Sequence, residues 1–240
     1  MTSILLAIFV VILGLLYRRA SLESVRFSSF FKSRKATLVV FAHPDDEVMF
    51  FLPAISVLLS SGHEIVVACL SNGGADGLGA VRKLEFDRVM SSISISKYLM
   101  FDDKRIPDGF HKWDVLVVKE LVESVLAKHP QINTIITFDR SGVSGHPNHV
   151  SVCDGVRLLN DKLVLELITI PTLVKFLVPP IDLLTLNKDD LAVWLPSLKV
   201  SSTMQLYESQ NVWFRRLFAF FSRYAYVNTF KVRQAKVKGQ

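Results

Sequence analysis

Apolar runs alternate with short polar turns along most of this chain and predict strands and helices in alternation. Strands rich in β-branched or aromatic residues are predicted at 37–42, 64–70, 98–101 and 132–138. Amphipathic or apolar helices are predicted between and after them, at 48–60, 78–92, 113–128 and 147–160. This order is typical of an α/β domain with a Rossmann-like, doubly wound and mostly parallel sheet.

The amino-terminal residues 3–17 carry no charge and are followed directly by Arg18 and Arg19. A membrane span usually needs about 20 apolar residues, and this run approaches that length if it extends to residue 1. A cleaved signal peptide fits less well, because an arginine pair stands where small residues should guide cleavage. We therefore predict a single transmembrane anchor over 1–17 and a basic linker over 18–35, with the rest of the chain on the cytoplasmic side.

Composition and charge strengthen the membrane interpretation. Hydrophobic residues make up 50% of the 240 positions, and the net charge is +6. Residues 18–35 hold six basic and one acidic residue, and residues 213–240 hold seven basic and none acidic. Basic segments beside apolar sequence attract anionic head groups, so we expect a membrane-surface segment at the carboxyl end. Nucleic acid is not expected as a partner, because no recognition motif is present.

Two later segments leave alternatives open. Residues 163–186 are apolar, but Pro171, Pro179 and Pro180 argue against a second span and favour a strand followed by a loop at the interface. Residues 215–230 place Phe, Tyr, Leu and Arg at helical spacing, so they could lie in the membrane surface or pack on the sheet.

The first candidate site follows the strand at 37–42, where the sequence continues as His43-Pro44-Asp45-Asp46-Glu47. Ligands bind at the carboxyl ends of strands in open α/β sheets. His43 and Asp46 lie three residues apart and can converge on one divalent ion, for which zinc is well suited. Asp45 lies between them, where a carboxylate can take a proton from an activated water. Alternatively, these acids only favour the positive end of a helix dipole.

The second candidate site follows the strand at 132–138 and contains Asp139, His146 and His149. The two histidines are three residues apart at the start of a predicted helix, so one turn could supply both a further ligand and a free imidazole. Asp139 could orient His146 through a hydrogen bond, or it could simply cap the turn. A lone histidine pair is usually surface or capping chemistry, but two such clusters at strand ends favour a shared site.

These motifs resemble those of a known enzyme family. The pair Ala42-His43-Pro44-Asp45-Asp46-Glu47 and His146-Pro147-Asn148-His149 resembles the signature of the LmbE-like zinc deacetylases. It is closer still to the N-acetylglucosaminylphosphatidylinositol de-N-acetylases (PIG-L) of glycosylphosphatidylinositol anchor biosynthesis. The stretches from Leu70 to Glu85 and from Ser209 to Arg216 are similar as well. The resemblance covers roughly residues 36–230 and implies a deacetylase domain at 36–240.

The resemblance implies a role for each candidate residue. His43, Asp46 and His149 would hold Zn²⁺ or another divalent metal, and Asp45 and His146 would be catalytic, with a protonated His146 stabilising the oxyanion. Arg82 and Asn72 would bind substrate, although on spacing alone Arg82 could instead pair with Glu85 on the surface of its helix. The implied substrate is a phosphatidylinositol-linked glycolipid, hydrolysed to acetate and glucosaminylphosphatidylinositol at the endoplasmic reticulum membrane.

The chain departs from the family pattern at one position, and two other functions are compatible with its sequence. The pattern leads us to expect a histidine at position 207, where this chain has Tyr207. A zinc deacetylase of a soluble N-acetylglucosaminide would require the amino-terminal segment to be absent or cleaved. A non-catalytic membrane scaffold on the same fold would tolerate loss of the Asp45 carboxylate.

Overall fold

The computed structural model describes residues 2–176, 183 and 186–234. Its strands are β1 (Ala36–Phe41), β2 (Glu64–Cys69), β3 (Tyr98–Met100), β4 (Ile132–Phe138), β5 (Leu163–Leu167), β6 (Leu191–Trp194) and β7 (Val227–Arg233). Its α-helices are α1 (Thr2–Phe31), α2 (Leu52–Ser60), α3 (Gly79–Ser92), α4 (Val115–Lys128), α5 (Gly142–Gly145), α6 (Pro147–Arg157), α7 (Thr172–Lys175), α8 (Lys199–Met204) and α9 (Trp213–Phe221). The predicted alternation of strands and helices is confirmed.

The strands form one mostly parallel sheet in the order β3-β2-β1-β4-β5-β7-β6. β1 pairs in parallel with both β2 and β4, and β5 extends the parallel part beyond β4. Because β1 and β4 are neighbours in the sheet but not in the sequence, a crevice opens between the loops that follow them. Both candidate motifs lie in those two loops.

Alternate side chains along β1 point to opposite faces of the sheet, and each face is covered by an apolar layer. In β1, Val39 and Phe41 pack into one core with α2 and α3, whereas Leu38 and Val40 pack into a second core with α4 and α6. The whole of β1 is buried, which explains why its sequence is continuously apolar rather than alternating.

Helix α1 is longer than the predicted anchor. An 18-residue window within Ile4–Phe31 has a mean hydropathy of 2.0, and this helix is long and apolar enough to cross a membrane. Residues 18–35, predicted as a linker, are helical as far as Phe31, and the helix packs against β6. The reason is that Phe27 and Phe31 are almost fully buried, so this half of the helix belongs to the domain core.

A π-helix, Glu47–Phe51, joins the first candidate motif to α2. An amide on a distant strand completes the hydrogen bonding at this junction: Asn228 of β7 accepts from the backbone N–H of Ala54 at 3.1 Å and donates to the carbonyl of Phe50 at 2.8 Å. These two backbone groups would bond to each other in a regular α-helix. Asn228 is fully buried and thus fixes the helix that follows the site.

The carboxyl-terminal segment divides into two parts. Helix α9 is amphipathic and exposed, whereas residues 227–233 form β7 between β5 and β6. Of the two alternatives for 215–230, the membrane surface is therefore wrong for 227–230, where Val227, Thr229 and Phe230 are buried in the sheet. The predicted loop after β5 falls largely at 177–182, 184 and 185, outside the described residues.

Candidate active site

Side chains from the loops after β1 and β4 converge on one point. His149 Nε2 lies 3.3 Å from His43 Nδ1 and 3.3 Å from Asp46 Oδ1, and His43 Nδ1 lies 3.5 Å from Asp46 Oδ2. All three side chains are buried. Donors about 2.0–2.1 Å from a tetrahedral zinc ion are separated from each other by roughly 3.3 Å, so this donor set fits zinc.

Both ring nitrogens of His43 and His149 have defined partners. His43 Nε2 lies 3.0 Å from Asp108 Oδ1 and 2.8 Å from Asn148 Oδ1, and His149 Nδ1 lies 3.0 Å from the carbonyl of Gly142. An imidazole that donates its N–H to such an acceptor presents the lone pair of its other nitrogen. Asp108, Asn148 and the carbonyl of Gly142 therefore orient the lone pairs of both histidines toward Asp46.

The carboxylates of the site differ in their affinity for protons. Burial alone would raise the pKa of Asp46, but His149 and His43 lower it well below its usual range. Burial also tends to raise the pKa of Asp108, but the hydrogen bond with His43 lowers it to about 2. Both groups are therefore anionic at neutral pH. Their negative charges lie close to the guanidinium groups of Arg82 and Arg215 at this end of the sheet.

Asp45 differs from its neighbour. Its Oδ2 atom is buried without a hydrogen bond and lies 3.4 Å from a guanidinium nitrogen of Arg82 and 3.4 Å from one of Arg215. Burial raises the pKa of Asp45 more than Arg215 and Arg82 lower it. Its backbone φ is 105°, a strained value for a residue with a side chain. Asp45 thus combines a carboxylate oxygen that forms ion pairs but no hydrogen bond with a raised pKa.

Arg82 is turned into the site rather than along its helix. It donates to the carbonyls of Gly73 (3.1 Å) and Pro44, while Glu85 accepts from the backbone N–H and hydroxyl of Ser209 at 2.7 and 2.6 Å. The alternative of a surface Arg82–Glu85 pair is therefore wrong. A Cβ at Gly73 would lie 2.5 Å from the guanidinium, so glycine is needed for this close approach.

His146 stands beside the donor set. A ring nitrogen of His146 lies within 4.8 Å of donor atoms on His43 and His149, so this residue could also join a metal site. Burial, with the neighbouring His149 and His43, lowers the pKa of His146 to about 4. This direction favours the neutral ring, so the catalytic role of a protonated His146 stays a prediction that the lowered pKa does not support. Its Nδ1 accepts from the backbone N–H of Asn148 at 3.3 Å, which leaves the proton of the neutral ring on Nε2.

Asp139 caps the turn that carries the second motif. Its side chain accepts from the backbone N–H groups of Ser141 and Gly142 and from both the backbone and the hydroxyl of Thr169. Of the two roles considered, capping is the one observed. Asp139 supports His149 indirectly, since the carbonyl of Gly142 in this turn faces the His149 ring.

A cavity of about 320 Å³ opens above these groups. Its lining includes the donor set, Asp45, His146, Arg82, Asp108, Gln210 and Arg215. Asn72, the other predicted substrate-binding residue, lines an adjoining cavity of about 260 Å³ that shares Asp108. Apart from Asp139, the predicted site residues thus line two neighbouring cavities that share Asp108.

Comparison with known proteins places this site in a family. The family profile described as GlcNAc-PI de-N-acetylase matches residues 38–159. A Dictyostelium discoideum protein named probable N-acetylglucosaminyl-phosphatidylinositol de-N-acetylase is 31% identical, over 82% of this chain and 92% of its own length. A Schizosaccharomyces pombe protein of the same name is 35% identical, over 82% and 86%. The chain belongs to the GlcNAc-PI de-N-acetylase family.

The fold of this family member is shared with more distant proteins. The N,N'-diacetylchitobiose deacetylase from Pyrococcus horikoshii superimposes with a TM-score of 0.58 at 16% identity, over 85% of each chain. At that identity the likeness concerns the fold alone. The expected LmbE-like architecture is confirmed.

Three residues of this family member's site received no role from the sequence. Asp108 lies in a Pro-Asp-Gly sequence, which predicts a turn, and the approach of its loop to His43 depends on tertiary structure. Asn148 lies between the two histidines of the second motif, and this position in the sequence could have indicated that it belongs to the site. Arg215 lies 170 residues from Asp45, and its helical neighbours gave no sign of the contact.

Proposed function

We propose that this chain is a membrane-anchored, zinc-dependent deacetylase that hydrolyses the N-acetyl group of N-acetylglucosaminyl-phosphatidylinositol and releases acetate. The observation that supports this function best is the close approach of donor atoms on His43, Asp46 and His149, 3.3–3.5 Å apart, beside the Asp45 carboxylate, whose Oδ2 accepts no hydrogen bond. Family membership supports the same reaction, since the relatives carry this activity in their names.

His43, Asp46 and His149 would hold the metal. Bound zinc would supply Lewis-acid activation of water and of the acetyl carbonyl. Asp108 and Asn148 hold the ring of His43, and the capped turn of Asp139 holds that of His149. These contacts fix both imidazoles before the substrate enters the cavity.

Asp45 is the proposed general base. Its raised pKa suits a carboxylate that first takes the proton of the attacking water and then returns it to the departing glucosamine nitrogen. Neutral His146 is the proposed hydrogen-bond donor to the acetyl oxygen, through its Nε2–H. Arg82 and Asn72 are the proposed substrate-binding groups, and the guanidinium of Arg82 can bind either a phosphate or a carbonyl oxygen.

The proposed location follows from α1. Arg18 and Arg19 follow its exposed apolar half, so we place the catalytic domain on the cytoplasmic side of the endoplasmic reticulum membrane, held by a single span. The glycolipid and the membrane are thus the proposed partners.

The test uses the purified full-length chain in detergent with acetyl-labelled glycolipid. Acetate release that is lost with a chelator and restored by Zn²⁺ supports the proposal. No release at any metal concentration, or faster release from water-soluble N-acetylglucosamine derivatives, contradicts it. In parallel, His149→Ala should lower bound zinc measured by mass spectrometry, with His129→Ala as the control because that half-buried residue is outside the cavity lining. Unchanged zinc in the first variant would remove His149 from the ligand set.

A further inference from the structure

Helix α9 has two faces with opposite characters. Trp213, Phe214, Leu217, Phe220 and Phe221 form its outer face, here called the α9 patch, and each is between 45% and 72% exposed. Their spacing places them on one side of the helix. Five large apolar side chains exposed together on nine residues require a partner surface.

The opposite face of α9 reaches the active site. Ala219 is buried there, Phe218 packs edge-on against Phe50 with ring centroids 5.6 Å apart, and Arg215 contacts the Asp45 carboxylate. Because Asp45 follows β1, α9 lies over the carboxyl edge of the parallel sheet. The α9 patch therefore faces away from the domain at the mouth of the cavity.

Helix α1 leaves the domain at the same edge. Strand β6 runs in the direction of β1, since each of β5 and β6 pairs antiparallel with β7. Trp194 is the last residue of β6. The Ser24 hydroxyl donates to its carbonyl and accepts from its backbone N–H, and its ring meets that of Tyr17 edge-on with centroids 4.9 Å apart.

The other end of α1 lies at the opposite edge of the sheet. Phe31 contacts His63, which directly precedes β2. The helix therefore descends from the carboxyl edge to the amino edge as the chain runs from Tyr17 to Phe31. Residues 4–15 are exposed and project beyond the carboxyl edge, over about 18 Å at 1.5 Å per residue.

We propose that the bilayer crossed by α1 lies directly over the carboxyl edge of the sheet, with the α9 patch in its head-group region and the active-site cavity opening toward it. The occupant of the patch is a lipid surface because the exposed half of α1 projects on that side. Charge agrees with this assignment, since α9 itself carries two basic residues, Arg215 and the exposed Arg216, and no acidic one. Tryptophan and phenylalanine beside arginine suit this depth of a membrane.

The arrangement deepens the proposed function and rests on its membrane anchor. A glycolipid could keep its acyl chains in the bilayer while its acetamido group enters the cavity from the rim. Arg215 links membrane docking to catalysis, because it lies on α9 and its guanidinium contacts Asp45, the proposed base.

The test places an environment-sensitive fluorophore on single introduced cysteines in the full-length chain. Cys69 and Cys153 are buried and free, so the unmodified chain gives the background of the labelling. The sites are Leu217→Cys in the α9 patch, Leu158→Cys beyond the end of α6 at the amino edge, and Leu6→Cys in α1. Each variant is reconstituted in vesicles of phosphatidylcholine and phosphatidylserine.

We expect the labels at 6 and 217 to shift to the blue and to be quenched by brominated lipids, and the label at 158 to remain in water. A label at 217 that stays in water while the label at 6 is immersed overturns the proposal and leaves the patch to a protein partner. Immersion of the label at 158 with 217 in water overturns it as well. A label at 6 that stays in water overturns both the docking and the anchor.

Activity separates this proposal from the proposed function. Leu217→Glu should lower deacetylation of glycolipid in vesicles roughly tenfold and leave turnover of detergent-dispersed glycolipid unchanged. Leu158→Glu is the matched control and should change neither rate. Equal rates for Leu217→Glu and the unmodified chain in vesicles would overturn the docking while the deacetylase stands. Immersed labels on a chain with no deacetylase activity would support the docking and reject the function.

Discussion

The hydroxyl of Tyr207 lies 2.5 Å from Oε1 of Glu47, and both side chains are fully buried. Oε2 of Glu47 in turn accepts from the backbone N–H of Asp45 at 3.2 Å. Tyr207 stands where the family pattern led us to expect a histidine, so this chain supports the strained turn of Asp45 with a phenol. Tyr207 does not line the cavity, and its hydroxyl reaches Asp45 only through Glu47.

Replacement of Tyr207 by phenylalanine should destabilise the chain. The change leaves a buried carboxyl oxygen of Glu47 without its partner, which costs about 1–3 kcal/mol. Chemical denaturation of the purified chain measures the effect. Tyr226→Phe is the control, because the Tyr226 hydroxyl bonds to the Phe220 carbonyl at an exposed position where water can replace it. Equal unfolding free energies for the two variants would contradict the supporting role of Tyr207.

Asp45→Asn should lower kcat by about 10²–10⁴-fold and leave zinc content unchanged. Asparagine keeps the size of the side chain and tolerates positive φ better than most residues, so the turn is preserved. Rates and metal content are measured on the same preparation. Loss of zinc together with activity would show that Asp45 is a ligand rather than the base, and full activity would remove Asp45 from the role of base.

Asn228→Ala should cost about 1–3 kcal/mol for each of the two backbone groups that it leaves unsatisfied at Phe50 and Ala54. Because those groups lie in the helix after the active-site turn, kcat should fall together with thermal stability. Asn160→Ala, at an exposed turn position, is the control. A stable Asn228→Ala chain would mean that the helix closes its own hydrogen bond when the amide is removed.

The pH dependence of stability should reveal Glu47. Burial raises the pKa of Glu47 to about 8, against a value of about 4.3 for an unfolded chain. Between those values the folded chain holds a proton that the unfolded chain has released, so this residue's contribution to stability falls as pH rises through the window and levels off above it. Glu47→Gln has no proton to lose, so its thermal midpoint should fall less between pH 5 and pH 8.

A control of opposite sign exists for that measurement. Hydrogen bonds with Lys97 and Gln131 lower the pKa of Glu64, so its contribution is present above the unfolded pKa and is lost as pH falls. Glu64→Gln should therefore depart from the unmodified chain at neutral and high pH, and converge with it in acid. Parallel pH profiles for Glu47→Gln and the unmodified chain would refute the elevated pKa.

Sequence patterns located the two candidate motifs because each follows a strand in a parallel sheet, where strand ends share one edge. They did not locate Asp108 or Arg215, whose contacts depend on how a loop and a distant helix pack over that edge. The same limit explains residues 18–35: charged residues dominate the composition, and the burial of Phe27 and Phe31 depends on distant partners, Phe230 of β7 and His63 before β2. In 215–230, the aromatic spacing obscured the β-branched alternation of β7.

The order of the sheet also bears on how the protein is made. Strand β7 lies between β5 and β6, so among the described strands β6 joins the sheet only through this late strand, which also places Phe230 against Phe27 of α1 and supplies Asn228 to the active-site helix. A nascent chain can therefore insert its amino-terminal helix in a bilayer while most of the sheet is still being translated. Its catalytic centre matures only once residues near 228 have cleared the ribosome, so membrane targeting precedes enzymatic competence.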